Sequence, residues 1–141
     1  MLKEKEKNEL LSQIVYTYYN NMKNKNVDAA AEALFFGDDT SSMRSTFVRF
    51  TKQDFEDSPY TNFNISEVKK INRDFYTFNV SIEQDKKVEN LKQFLIKKGE
   101  NWLIVLHPIY LPPDKQEVIG FDGKEGDDIL NLTETDILDL E

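Results

Sequence analysis

The stretch "DFYTFNVSIEQ", Asp74 to Gln84, alternates without a break. Tyr76, Phe78, Val80 and Ile82 fall on one side of an extended chain, and Thr77, Asn79 and Ser81 on the other. That two-residue period is the mark of a half-buried β-strand. Three turn sequences follow one another at similar intervals around it: "NRD" at 72–74, "QDKK" at 84–87 and "KKGEN" at 97–101. They divide the region into four strands, at 62–71, 75–83, 88–96 and 102–111, and such short turns imply an antiparallel meander. The last strand is apolar on both faces, which predicts a central place under the helices. Pro112 and Pro113 are expected to end it.

Upstream the period changes. Leu10, Leu11, Ile14, Val15, Tyr18 and Met22 recur at spacings of three and four, which predicts a helix over 4–24. "VDAAAEALFF" predicts a second helix at 27–36, with Asn26 as its N-cap and Gly37 ending it in the left-handed conformation. Met43, Phe47 and Phe50 give a third helix its apolar face, and Pro59 closes that helix. Helices first and an antiparallel sheet after is an α+β plan, with the N-terminal helices packed on one face of a curved meander of four or more strands.

This order resembles the nuclear transport factor 2-like (NTF2-like) superfamily. The resemblance rests on the long first helix, the segment "NKNVDAAAEALFFGDD" (Asn24 to Asp39), a further helix and the meander. Asn26, Asp28, Phe36, Asp38 and Asp39 match the outline of the family's second helix. It covers residues 5–111 and implies a cystatin-like cone, a curved sheet wrapped around helices. No short strand is predicted between the second and third helices, where the family has one. The family holds isomerases, cyclases and dehydratases beside non-catalytic binding and transport proteins, so it implies a fold rather than an activity. It also implies a homodimer.

Charge divides the chain of 141 residues in two. Residues 1–111 carry sixteen Lys and Arg against sixteen Asp and Glu, whereas residues 112–141 carry two lysines against ten acids. The whole net charge of −8 therefore lies in the last thirty residues. A neutral body with an acidic end disfavours nucleic acid. The chain reads as one domain at 1–113 and an acidic tail at 114–141, dispensable for folding. Within the tail, "DILNL" and "DILDL" alternate acids or Asn with Ile129, Leu130, Leu132, Ile137, Leu138 and Leu140, a pattern typical of segments that dock, here onto this domain or onto a protein partner.

There is no cysteine, hence no disulfide, thiol nucleophile or thiolate metal site. No cofactor or metal is expected. Asp38 and Asp39 stand without spaced partners, and the tail sequence beginning at Asp122 fails the calcium-loop spacing. No apolar run is long enough for a membrane span. "MLKEKEKNELL" lacks a leader's apolar core, so the sequence as written reads as cytoplasmic, and as extracytoplasmic if a leader or anchor precedes it. Abundant Lys, Asn and Ile suit an AT-rich bacterial genome.

His107 is the single histidine, set in the apolar run "NWLIVLHPIYLPP". Its chemistry suits a general base, but Val105 and Ile109 adjoin it and no acid does, which favours a structural role. Tyr18, on the apolar stripe of the first helix, is the second catalytic candidate. Tyr16, Tyr18, Tyr76 and His107 are the candidates for lining a ligand pocket. The function read from all this is a non-enzymatic binding or assembly module with an acidic-hydrophobic docking segment. The alternatives are a small isomerase, cyclase or lyase-like enzyme using His107, and an immunity- or inhibitor-type protein for a basic partner.

Overall fold

Helix α1 (Glu4–Lys23) lays Leu11, Val15, Tyr18, Tyr19 and Met22 along one buried stripe. The computed structural model describes residues 3–38 and 40–121. Leu10, expected on that stripe, is 45% exposed, and Tyr19 takes the place. Lys25 adopts a left-handed φ of 65° and turns the chain into α2 (Val27–Ala31).

That second helix stops well before residue 36. Leu34 instead forms a parallel bridge to Ile104. The Phe35 amide donates to the Ile104 carbonyl at 3.0 Å, and the Ile104 amide donates to the Ala33 carbonyl at 2.7 Å. Local helix propensity loses here because a sheet edge offers unpaired backbone groups that must be satisfied. Between the second and third helices, where the sequence predicts no strand, the chain thus makes a single bridge to the sheet. Arg44 fixes it, donating through Nη2 to the Leu34 carbonyl at 2.6 Å.

Helix α3 (Thr40–Asp57) follows Gly37, whose φ of 90° suits glycine. Met43 and Phe47 pack on the core, but Phe50 is 57% exposed and Phe55 is the fully buried residue of this helix. A period of four from Phe47 carries the apolar face to Phe55 and leaves Phe50 outside.

The meander is β1 (Tyr60–Ile65), β2 (Lys69–Asn72), β3 (Phe75–Gln84), β4 (Lys87–Lys98) and β5 (Asn101–Val105). Its order is β1-β3-β4-β5, all antiparallel, with β2 also pairing on β3. The predicted first strand is thus one path broken in the middle. At the break the Ser66 hydroxyl accepts from the Asn79 amide at 2.8 Å, standing in for a backbone carbonyl. This lets β1 and β2 bend across β3, and the sheet curls into a half-barrel. The β3–β4 hairpin turns on Asp85 and Lys86, both at positive φ, which matches the strands' twist.

Alternation on β3 is as predicted: Tyr76, Phe78, Val80 and Ile82 face the helices in the main core. Two expectations need correction. β5 is not central; it ends the antiparallel ladder, and its free edge is covered by Ala33–Phe35. It also ends at Val105 rather than 111. The chain then makes a 3-10 turn at Pro108–Tyr110 and a short helix, α4 (Pro113–Val118). Proline at the start of α4 suits the first helical position, so the pair that ends the strand also begins a helix. This segment brings Leu111, Tyr110 and Ile119 onto the outer face of the sheet, over Phe75, Phe94, Ile96 and Val105. The protein therefore has two cores, one on each side of the sheet. Among the described residues no helix is long and apolar enough to cross a membrane.

Candidate functional site

The concave face of the half-barrel is where the strands converge on α1 and α3. Its inward positions on β4 are Glu89, Leu91, Gln93 and Leu95, set by pairing with Ile82, Val80, Phe78 and Tyr76 of β3. Gln93 is the one buried polar or charged side chain among the described residues, at 3% exposed. Its Oε1 accepts a hydrogen bond from the Tyr19 hydroxyl of α1. Tyr19 packs edge-on to Tyr18 at 4.6 Å and lies 5.8 Å from Phe63, which contacts Tyr16 at 5.6 Å. An aromatic chain thus runs from the buried interior to the exposed ring of Tyr16.

At the mouth, α3 ends beside the β3–β4 hairpin and leaves a cleft of about 320 Å³. Asp54, Ser58, Tyr60, Gln84, Glu89 and Leu91 are among its lining residues. Gln84 closes one wall by donating through Nε2 to Asp54 Oδ2 at 2.8 Å and to the Ser58 carbonyl at 2.6 Å. Tyr60 packs against Phe55 with ring centroids 4.8 Å apart and planes tilted by 58°. Burial raises the phenol pKa of Tyr60, and the charges of Glu89 and Asp54 add to the rise. Burial likewise pushes up Tyr18 and Tyr19. These phenols stay protonated at neutral pH, so they act as hydrogen-bond donors and packing surfaces, not as bases.

The sequence candidates stand in different surroundings. Tyr16 is 51% exposed, over an open groove between α1 and Glu67. Tyr18 is buried in the main core, with one edge reaching a shallow groove between α1 and α2. Tyr76 is buried on β3, stacked edge-on to Trp102 at 5.5 Å, and its hydroxyl donates to Glu4 at 2.7 Å. Burial and that bond onto a carboxylate both raise its pKa. His107 lies past the end of β5, where its Nδ1 accepts from the Ile109 amide at 3.1 Å and caps the 3-10 turn. Burial lowers its pKa. Tyr16 and Tyr18 are joined through Tyr19 and Phe63; Tyr76 and His107 are not part of that chain. Asp39 and the residues expected to dock, Ile129, Leu130, Leu132, Ile137, Leu138 and Leu140, lie outside the described residues.

Sequence reasoning missed Gln93 and the mouth residues Asp54, Tyr60 and Glu89. The signal for Gln93 was its spacing of two from Leu91 and from Leu95. It was masked because Phe94 and Ile96, on the opposite face, are also buried and draw the eye to the wrong side of β4.

No family model matches the chain, and no curated protein matches it. Its structure is similar to a crystal structure of a Campylobacter jejuni protein described as an NTF2-like transpeptidase. The TM-score is 0.51 and the identity 13%, over 68% of this chain and 97% of that one. A likeness at that identity establishes the fold alone: helices followed by a curled antiparallel sheet, the NTF2-like half-barrel.

Proposed function

We propose that this protein is a non-catalytic, bacterial binding and assembly module that recognises another protein, with residues 122–141 as its docking segment. The observation that carries the reading is how the concave face is occupied. Tyr18, Tyr19, Tyr76, Phe78, Leu95 and Ile104 fill it at 2% exposure or less. The polar group among them, Gln93, is already bonded to Tyr19. A substrate in that space would have to displace the protein's own core, which favours recognition by surface and tail over chemistry in a cavity. The docking segment holds eight acids and one lysine beside six Ile and Leu residues, so the chemistry it suits is an apolar groove with a basic rim.

The test replaces Ile129, Leu130, Ile137 and Leu138 by Ser at unchanged charge. Both full-length proteins serve as bait in extracts of the native cells. A partner held by the parent and lost from the variant supports the reading, and equal recovery of every partner overturns it. A second copy of the chain is also an allowed partner, and sedimentation over a concentration series measures that directly.

A further inference from the structure

The end of the half-barrel opposite the acidic mouth is basic. Two hairpin turns meet there, Arg73–Asp74 and Gly99–Glu100, joined by the Lys97 amide donating to the Asp74 carbonyl at 3.2 Å. Between them and α1 lies an open hollow of about 510 Å³ lined by Lys7, Arg73, Asp74, Lys97 and Gly99. Three cations face one carboxylate, and that carboxylate is 3.9 Å from Arg73 Nε. Lys7 is held in place: its Nζ donates to the Arg73 carbonyl at 2.8 Å and lies 5.1 Å and 5.2 Å from the ring centres of Tyr76 and Trp102. A cation fixed over aromatic faces is a preorganised point charge. The Arg73 side chain is 87% exposed, with its donors open to a second acid.

The described chain ends close by. Lys115 of α4 lies 5.9 Å from the ring of Phe75, the residue after Asp74, and Phe121 is tied back to α4 through the Gln116 carbonyl. From there twenty residues, 122–141, carry eight acids against Lys124. An extended chain of that length spans up to about 65 Å, far more than one end of this domain. A tether of this kind sets an effective concentration on the order of millimolar, so weak ion pairing suffices for capture.

We propose that this hollow is the resting site of the protein's own acidic segment: carboxylates within residues 122–141 bind Lys7, Arg73 and Lys97 of the same molecule. The inference rests on reading that segment as a docking element, and it adds where the segment sits before a partner takes it. A basic partner then competes with the hollow for the same acids, so recognition and release become one exchange.

The absence of native cysteine makes the test direct. A nitroxide on Thr135→Cys in the full-length, nitrogen-15-labelled protein reports proximity through the relaxation of backbone amides. Signals of Arg73–Phe75 and Lys97–Trp102 should weaken by roughly twofold or more and recover near 1 M salt, where the screening length falls to about 3 Å. The same signals should recover in the Arg73→Glu/Lys97→Glu variant. Unchanged intensities overturn the proposal, as does weakening confined to another face or weakening that survives the charge reversal. So does equal weakening in a mixture of isotope-free spin-labelled molecules with isotope-labelled molecules that carry no nitroxide, which would mean a second copy is bound. The Ser variant of the docking residues, assayed for partner capture, reports on the docking reading separately.

Discussion

The Tyr19 hydroxyl of α1 donates to Gln93 Oε1 of β4, joining a helix and a strand 74 residues apart in the interior. Both side chains are almost fully buried, so neither has water as a substitute partner. Tyr19→Phe leaves the amide of Gln93 short of a partner and should cost about 1–3 kcal/mol, the scale of an unsatisfied buried group. Gln93→Leu alone strands the phenol in the same way. The double variant removes both needs and should be more stable than the sum of the single losses predicts, by about 1 kcal/mol. Urea unfolding of the four proteins measures this coupling, and strict additivity would mean that the bond contributes nothing.

His107 gives a pH prediction. Its Nδ1 must be unprotonated to accept from the Ile109 amide, and burial holds its pKa below the ordinary 6.5. The unfolded chain takes up a proton near 6.5, while the native state does so only at lower pH. Its contribution to stability is therefore present above 6.5 and is lost as pH falls through the folded pKa. His107→Gln should remove that loss, leaving a shallower fall in stability below neutrality. At pH 7.5 it should cost about 1 kcal/mol, one capping hydrogen bond. Partner binding should be unchanged in the folded variant. Loss of a measured activity at full stability would instead support the catalytic reading of His107.

Much of this architecture is legible in the residues, and where it is not there is a physical cause. The alternation from Tyr76 to Ile82 is local information, and so are the three turns, so the meander follows from them. The segment Ala33–Phe35 is different: its sequence favours helix, and only the open edge of β5, seventy residues away, makes it pair as a strand. Gln93 is hidden for a related reason. Near the end of β4 both faces are apolar because both are covered, and alternation carries no sign of which side is inside. Pro112 and Pro113 read as a stop from one direction and a helix start from the other.

Arg44 should be the residue that holds the Ala33–Phe35 segment in place. Its Nη2 bond to the Leu34 carbonyl is charge-assisted, and Arg44→Met removes it while keeping much of the apolar stem. The expected cost is about 1.5–3 kcal/mol. Hydrogen exchange locates the effect: the amides of Phe35 and Ile104, which pair across this edge, should exchange faster, while those of the β3–β4 ladder slow or speed only with global stability. Uniform acceleration across the sheet would show that Arg44 acts on the whole fold and not on its edge.

The last prediction concerns the outer core. Leu111 is 4% exposed and closes the cluster of Phe75, Phe94, Ile96 and Val105, with Ile119 packed beside it. Gln116 pins α4 down by donating to the carbonyls of Pro108 and Ile109 at 3.2 and 3.3 Å. The boundary expected at Pro113 would cut through this cover, removing Ile119 and the Gln116 bonds that hold the 3-10 turn, and so loosen Leu111 over Phe75, Phe94 and Ile96. A chain ended after Pro113 should therefore melt earlier than one ended after Phe121 and bind a dye for exposed apolar surface. Ending after Phe121 removes seven net negative charges but no described contact of either core, so its unfolding should match the full chain in moderate salt. Leu111→Ala in the full-length protein should cost about 2–4 kcal/mol, in the range of a buried leucine cut back to a methyl group. Equal stability of the two shortened chains would show that α4 only rests on the sheet. A large loss on ending after Phe121 would place part of residues 122–141 in the fold itself, and the acidic segment could then no longer be treated as an appendage of the domain.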